Sequence, residues 1–171
     1  MTAPAGYLTR LADRLGDQDP LDVLARLLPE LRALLAGVPA GELGRRESPG
    51  RWSARDVVEH LADHELVIGV RYRLILAEPG PAIGAFDPDA WVARLANGRG
   101  TLDETLEELA LARRRNLRLL RVQPPEALMR AGLHAERGWE TAARLLAIHA
   151  AHDLVHLDQV RRVLAGAGRA A

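Results

Sequence analysis

The sequence predicts an all-α fold, a bundle of four long helices, and three observations carry the prediction. Four runs repeat apolar residues at helical spacings of three and four; capping residues or glycine and proline stops bound them; and no stretch shows the period-two alternation of a half-buried strand. Helices with one apolar face bury it best against one another, so four of them point to a bundle. At 171 residues the chain fits one domain, taken here as 1–171, and is long enough to bury a core without staples.

A short amphipathic helix is expected over 5–16, ended by Gly16 and the polar DQDP run. The first long helix is expected from Pro20 to Ala36, where Leu24, Leu27, Leu28, Leu31, Leu34 and Leu35 build a broad apolar face. Pro29 within it should kink or restart the helix, and Gly37 and Pro39 stop it. After a glycine-containing linker, Ser53 and Asp56 form a capping box that starts the second long helix, which runs to about Ala77. Its wheel puts His60, His64, Val67, Arg71 and Leu74 on one face, an unusually polar content for a core stripe.

The next connection holds three prolines and four glycines, so it is long and partly irregular, with one short helix capped by Asp87. It reads either as a crossover between helices or as a lid. The third long helix, about Leu102 to Val122, carries Leu106, Leu109, Leu117 and Leu120 on one side, and Arg113 is the one charge on that side. Pro124 and Pro125 open a further connector, and the last long helix is expected from about Gly138 to Leu164. Short extra helices and a long crossover therefore accompany the four main elements.

Composition removes several classes of function. The chain has no cysteine, so disulfides, thiolate ligands and a cysteine nucleophile are all excluded. All basic residues are arginine, which excludes a lysine Schiff base. Formal net charge is zero, giving no overall attraction to nucleic acid or an anionic membrane, and neither is expected as a partner. The opening residues have charges every few positions and no continuous apolar run, and no window approaches a membrane span, so a cytoplasmic location is expected.

The functional clue is AIHAAHDLVHLDQV, residues 147–160. At 3.6 residues per turn, His149, His152 and His156 fall within about one sixth of the helix circumference. Ala142, Leu145, Val160 and Val163 share that sector, so the imidazoles point inward and need hydrogen-bond partners or a metal. His152 and His156 form H-x-x-x-H, which stacks two rings one turn apart; alone, the spacing serves a metal site or a hydrogen-bonded core pair. Asp153 follows the first histidine where a zinc protease would have Glu, so no such protease is read here. His60 faces inward from another long helix, and three imidazoles from two facing helices make a half-closed site with room for water or substrate.

Two segments resemble the DinB/YfiT-like family of metal-dependent enzymes. PGRWSARDVVEHLADHE, residues 49–65, is similar to the family's W-S-x-x-(D/E)-x-x-x-H-L-x-(D/E) pattern; HDLVHLDQV is similar to its H-D-x-x-H-x-x-Q block, and the preceding LHAERGWETAARLLAIHAAH to its lead-in. The resemblance spans the chain from the first long helix onward, leaving the 5–16 segment outside. It implies a DinB-like four-helix bundle of up-down-down-up connectivity, with His60, His152 and His156 as ligands of a divalent ion, usually zinc or nickel. His64 departs from the family pattern and is expected to line the pocket, cover it or add a ligand.

No catalytic residue is assigned by sequence; His64, Asp63 and Gln159 are the candidates. His149 is expected to pack or support, Asp153 to lie at the helix surface or against a ligand imidazole, and Asp63 or Glu59 to orient His60. Gln159 is placed to bond a ligand histidine or substrate, Arg71 to bind an anionic group or an internal carboxylate, and His134 to be either a loop or a pocket residue. Trp52 and Trp139 read as hydrophobic staples at helix starts. Ala151 and Leu154, facing away from the histidines, are a candidate homodimer face.

A divalent ion on neutral imidazoles lowers the pKa of a bound water or thiol. The expected activity is thiol-dependent transfer to a small-molecule electrophile, with a low-molecular-weight thiol as cosubstrate, mycothiol or bacillithiol being what the resemblance implies. Metal-assisted hydrolysis and non-catalytic metal or small-molecule binding are the alternatives. Metal affinity is expected to fall below about pH 6 as the imidazoles protonate.

Overall fold

The structure, a computed structural model, describes residues 13–98 and 100–167. The helix expected over 5–16 therefore lies mostly outside the described residues. Helix α1 spans Pro20–Leu35; the Asp19 side chain accepts the backbone N–H groups of Leu21 and Asp22 at 2.7 and 3.2 Å, and proline at the first position gives up no bond. The helix is continuous through Pro29 rather than restarting there. A short α2 (Ala40–Leu43) leads to α3 (Ala54–Ala77), opened by the expected box: the Ser53 hydroxyl accepts from the Asp56 N–H and the Asp56 carboxylate from the Ser53 N–H, at 3.1 and 3.0 Å. Asp87 caps α4 (Pro88–Arg94) as expected, and Thr101 with Glu104 forms a second box before α5 (Leu102–Arg121). Short α6 (Pro125–Leu128) precedes α7 (Ala142–Ala167).

The four long helices pack in the cyclic order α1, α7, α3, α5, so α1 sits diagonally from α3 and α5 from α7. Cross-helix partners fix the directions. Along α3 and α5 the pairs Glu59–Thr105, Glu65–Arg113 and Arg73–Asn116 advance together, so these helices are parallel. Between α3 and α7, Trp52 meets His156 while Tyr72 meets His149, an antiparallel order. Helices α1 and α7 run the same way, with Val23 and Leu27 beside Asp153 and Leu157 at one level and Glu30 bonded to Arg161 further on. The connectivity is up-down-down-up.

Three short strands correct the expectation of a chain without sheet. Ala82–Ile83 (β1) pairs in parallel with Ala131–His134 (β2), which pairs antiparallel with Gly138–Thr141 (β3). Strands of two to four residues are too short to show a period-two pattern. A Cβ on Gly132 would stand 2.9 Å from the Ile83 Cγ1 and 3.0 Å from the Pro81 carbonyl oxygen, so only glycine lets β2 lie this close. The last helix starts at Ala142 rather than near Gly138, because Gly138 has φ +74° and the next residues bond to β2. Trp139 is consequently an exposed strand residue lying over Gly80, and no staple.

The apolar core has two clusters, one around Leu24, Ile68, Tyr72, Leu117 and Leu145, the other around Leu31, Val57, Leu61, Leu109 and Val160. Between them lies a charged layer. Arg113 donates to Glu65 at 2.7 Å, to Asp153 at 2.6 Å and to the Leu24 carbonyl at 2.8 Å, while Asn116 donates to Glu65 at 2.7 Å. Ala151 is buried and Leu154 packs on α1 beside Val23 and Leu27, so neither offers the expected dimer face. The exposed large apolar side chains on α3 and α5 include Leu66, Val70 and Leu111. Among the described residues no helix is long and apolar enough to cross a membrane.

Close approach of α3 and α5 depends on Gly69, where an added Cβ would fall 2.7 and 2.8 Å from the two amide atoms of Asn116. That amide is held by Glu65 and Arg73 and cannot simply swing away. Gly69→Ala is expected to destabilise the chain by about 1–3 kcal/mol despite alanine's better helix propensity, and urea unfolding midpoints check it. A stabilised variant would show that the parallel helices part without cost.

Candidate metal centre

His60 projects from α3 and His152 and His156 from α7, and the antiparallel packing of those helices brings the three rings to one level. The Nε2 atoms of His60 and His152 stand 3.0 Å apart, and one ligand atom from each of the three histidines lies within 4.8 Å of the others. For bonds of 2.0–2.1 Å, neighbouring nitrogens around one ion are separated by about 2.9 Å in an octahedron and about 3.3 Å in a tetrahedron. The His60–His152 spacing falls in that interval, and the wider set stands within reach of one ion.

Outer contacts orient the rings. The Nδ1 of His156 is 2.8 Å from the Gln159 side-chain oxygen, which fixes the proton on Nδ1 and frees the other nitrogen for the site. Gln159 thus bonds a candidate ligand, one of the two roles expected of it. His64 lies against His152 with ring centres 3.8 Å apart and planes 17° apart, and the Nδ1 atoms of His64 and His152 are buried without a partner.

The electrostatics hold the rings neutral. Burial, then the neighbouring His156, pushes the His60 pKa down to about 3; burial first and adjacent imidazoles second lower His64 and His152 strongly. Burial also lowers His156, against the bond to Gln159. Neutral imidazole is the form that ligates a metal. In the unfolded chain these groups titrate near 6.5, so folding is disfavoured once the unfolded state takes up protons that the folded state refuses. Stability of the metal-free chain is therefore full above about pH 6.5 and declines from there toward pH 3, at about 1.4 kcal/mol per pH unit for each group engaged. Urea titrations at pH 8, 6 and 5 measure this, and a midpoint that does not fall is the opposing result.

The rings form the floor of a cavity of about 360 Å³ whose walls include Trp52, His64, Arg71, Phe86 and His134. Of the two expectations for His134, loop and pocket, the structure gives the second, at the end of β2. Trp52 is no mere staple, since its ring centre stands 4.8 Å from that of His60 and 6.0 Å from that of His156. Phe86, Asp89, Glu136 and Arg137 also line the cavity and were not anticipated, because they come from the irregular connector and the β2–β3 turn.

Four candidates lie elsewhere. Asp153 is buried against Arg113, not at the surface or on an imidazole. His149 sits in the charged layer, its Nε2 3.1 Å from Glu65 and its Nδ1 3.1 Å from the Tyr72 hydroxyl, and backs His64 with ring centres 5.4 Å apart. Glu59 accepts from Thr105 at 3.1 Å and pairs with Arg55, and Asp63 is half-buried on α3 outside the cavity walls.

This connectivity, with three imidazoles gathered from two antiparallel helices, defines a class of helical-bundle protein built around a histidine cluster. The chain belongs to the DinB superfamily, whose family model matches residues 24–160. It is 28% identical over 150 residues to YfiT of Bacillus subtilis, covering 83% of this chain and 82% of that one, and 31% identical over 119 residues to a Bacillus cereus protein, covering 67% and 68%. A relative from Oceanobacillus iheyensis is 29% identical over 111 residues, and the match spans only 64% of its length. All three carry the provisional name of metal-dependent hydrolase. The solved structure of YfiT, described as an unusual four-helix-bundle topology, superposes with a TM-score of 0.74 over 84% of each chain at 24% identity, a likeness of fold.

Proposed function

We propose that the chain is a metal-dependent enzyme that transfers a low-molecular-weight thiol, of the mycothiol or bacillithiol kind, to a small electrophile. The observation that carries the reading is the convergence of buried His60 and His152 and half-buried His156, all held neutral, on the floor of an open cavity. A divalent ion held there, zinc or nickel by the imidazole donor set, would supply the Lewis acidity that lowers the pKa of a thiol or water.

The remaining steps belong to the chain's own side chains. Trp52 and Phe86 wall the cavity and restrict water around the nucleophile. The rim carboxylates of Asp89 and Glu136 are the available proton acceptors, while burial holds His64 neutral beside them. The thiol proton passes to one of these, the sulfur forms a bond to the electrophilic carbon, and the leaving group departs with its electron pair. The absence of cysteine fits a thiol brought from outside.

Hydrolysis by the same centre is the second reading, favoured by the names of the relatives; water then replaces the thiol and the acceptors keep their role. We propose that it acts on small molecules in the cytoplasm, where such thiols are kept reduced. A turnover screen of the zinc- and nickel-loaded protein with several thiols, electrophiles and esters tests both. Thiol-dependent product above the His152→Ala variant supports the first reading, and thiol-independent ester cleavage the second. No turnover above that variant with either ion overturns enzymatic function and leaves a binding protein.

A further inference from the structure

The bundle buries two arginines, Arg113 and Arg71, and treats them differently. Arg113 is neutralised by Glu65 and Asp153, whereas Arg71, only 6% exposed, has no carboxylate within ion-pair distance among the described residues. One Arg71 terminal nitrogen donates to the Gly84 carbonyl at 2.7 Å, the guanidinium carbon stands 5.7 Å from the centre of the Phe86 ring, and Nε is buried without an acceptor. Glu140 is gripped by Arg137 at 2.9 and 2.7 Å, and Asp89 and Glu136 are exposed at the cavity rim. Glu140 and Glu136 act on Arg71 only from beyond ion-pair distance, and a buried cation so weakly countered is suited to an anion from outside.

A second donor shares the cavity. The Glu136 backbone N–H donates to His134 Nδ1 at 3.1 Å, which places the proton of the neutral ring on Nε2. That Nε2–H is buried and has no acceptor. Arg71 and His134, each carrying one unpaired donor, thus both line the cavity whose floor is the histidine cluster. Two donors without an acceptor are the complement of a ligand that brings acceptors and negative charge.

We propose that Arg71, with His134, is the anchor for a carboxylate on the substrate, setting the enzyme's preference for a small carboxylate-bearing molecule that reaches from the histidine cluster to this wall. The inference rests on the metal-dependent reading above for the substrate's other end. A carboxylate suits the site better than a phosphate, because one guanidinium edge already serves Gly84 and a single planar monoanion matches the donors left. Arg71 here positions substrate and selects it.

The test compares 3-mercaptopropionate with the neutral 2-mercaptoethanol on nickel-loaded protein, following the thiolate-to-nickel absorption, beside a calorimetric titration of propionate into the metal-free chain. The expected result is about tenfold tighter binding of the carboxylate thiol, lost in Arg71→Met and partly kept in Arg71→Lys, while 2-mercaptoethanol binds all three alike. Propionate should bind the metal-free wild type and not Arg71→Met, with circular dichroism showing that the variant is folded. Equal affinity for both thiols, or a preference that survives Arg71→Met, overturns the proposal. If neither thiol gives an absorption band, the metal-thiol reading fails and the propionate titration alone decides the anion site, absence of wild-type binding overturning it.

Discussion

His60→Ala is expected to abolish stoichiometric divalent-ion binding, and with it the rise in melting temperature expected when a divalent ion is added to the wild type. Of the three candidate ligands only His60 comes from α3, so its loss leaves two of them on one helix, a pair too open to hold an ion tightly. Gln159→Leu should produce a graded effect: the His156 ring stays but loses the partner that fixes its proton on Nδ1, and affinity falls by about 10- to 100-fold. Elemental analysis after gel filtration and melting with and without added metal read both variants. If His60→Ala retains one ion per chain, the coordination model is wrong.

Arg113→Met costs about 3–5 kcal/mol of stability, the largest loss expected from any single substitution outside the histidine cluster. The guanidinium is the shared partner of two carboxylates that have no water to turn to. Burial would raise Glu65, yet its contacts with His149 and Arg113 hold it down to about 2, and Asp153 and Glu65 in turn raise Arg113 against its own burial. Removing the cation leaves two buried anions, which must protonate or pull the helices apart. Against a total stability of about 5–15 kcal/mol, such a loss leaves the chain partly unfolded at 37 °C. Urea unfolding at pH 7 measures it, and a loss below about 1 kcal/mol would show that the layer is wet or its charges redundant.

Much of this was legible in the residues. Helix starts at Ser53, Asp87 and Pro20 were readable because capping is local chemistry, decided by side chains within three positions of the backbone they satisfy. The inward direction of the histidines followed from helical period alone. Up-down-down-up connectivity did not; it came from the family resemblance, since periodicity shows which face is buried and not against which neighbour. The sheet escaped notice because two to four residues carry no period and Gly132 speaks only through what it touches. Asp153 looked superficial because its partner, Arg113, is 40 residues away, although an arginine among leucines was a sign that a buried acid existed.

The helix order bears also on how the chain reaches this structure. Sequential helices α1 and α3, and again α5 and α7, do not share a main interface, so two of the three connections between long helices reward no local docking. Stabilising contacts join residues far apart in sequence: Leu24 to Arg113 across 89 positions, His60 to His152 across 92, Glu30 to Arg161 across 131. Each requires a large loop to close before it contributes, an entropy that an up-down-up-down bundle largely avoids. The α3–α5 pair, whose side-chain bonds span only 43 to 51 positions, is the natural place for assembly to begin, with α1 and α7 added later. Folding should be slow for a helical protein of this size, with the histidine cluster completed only in the final step.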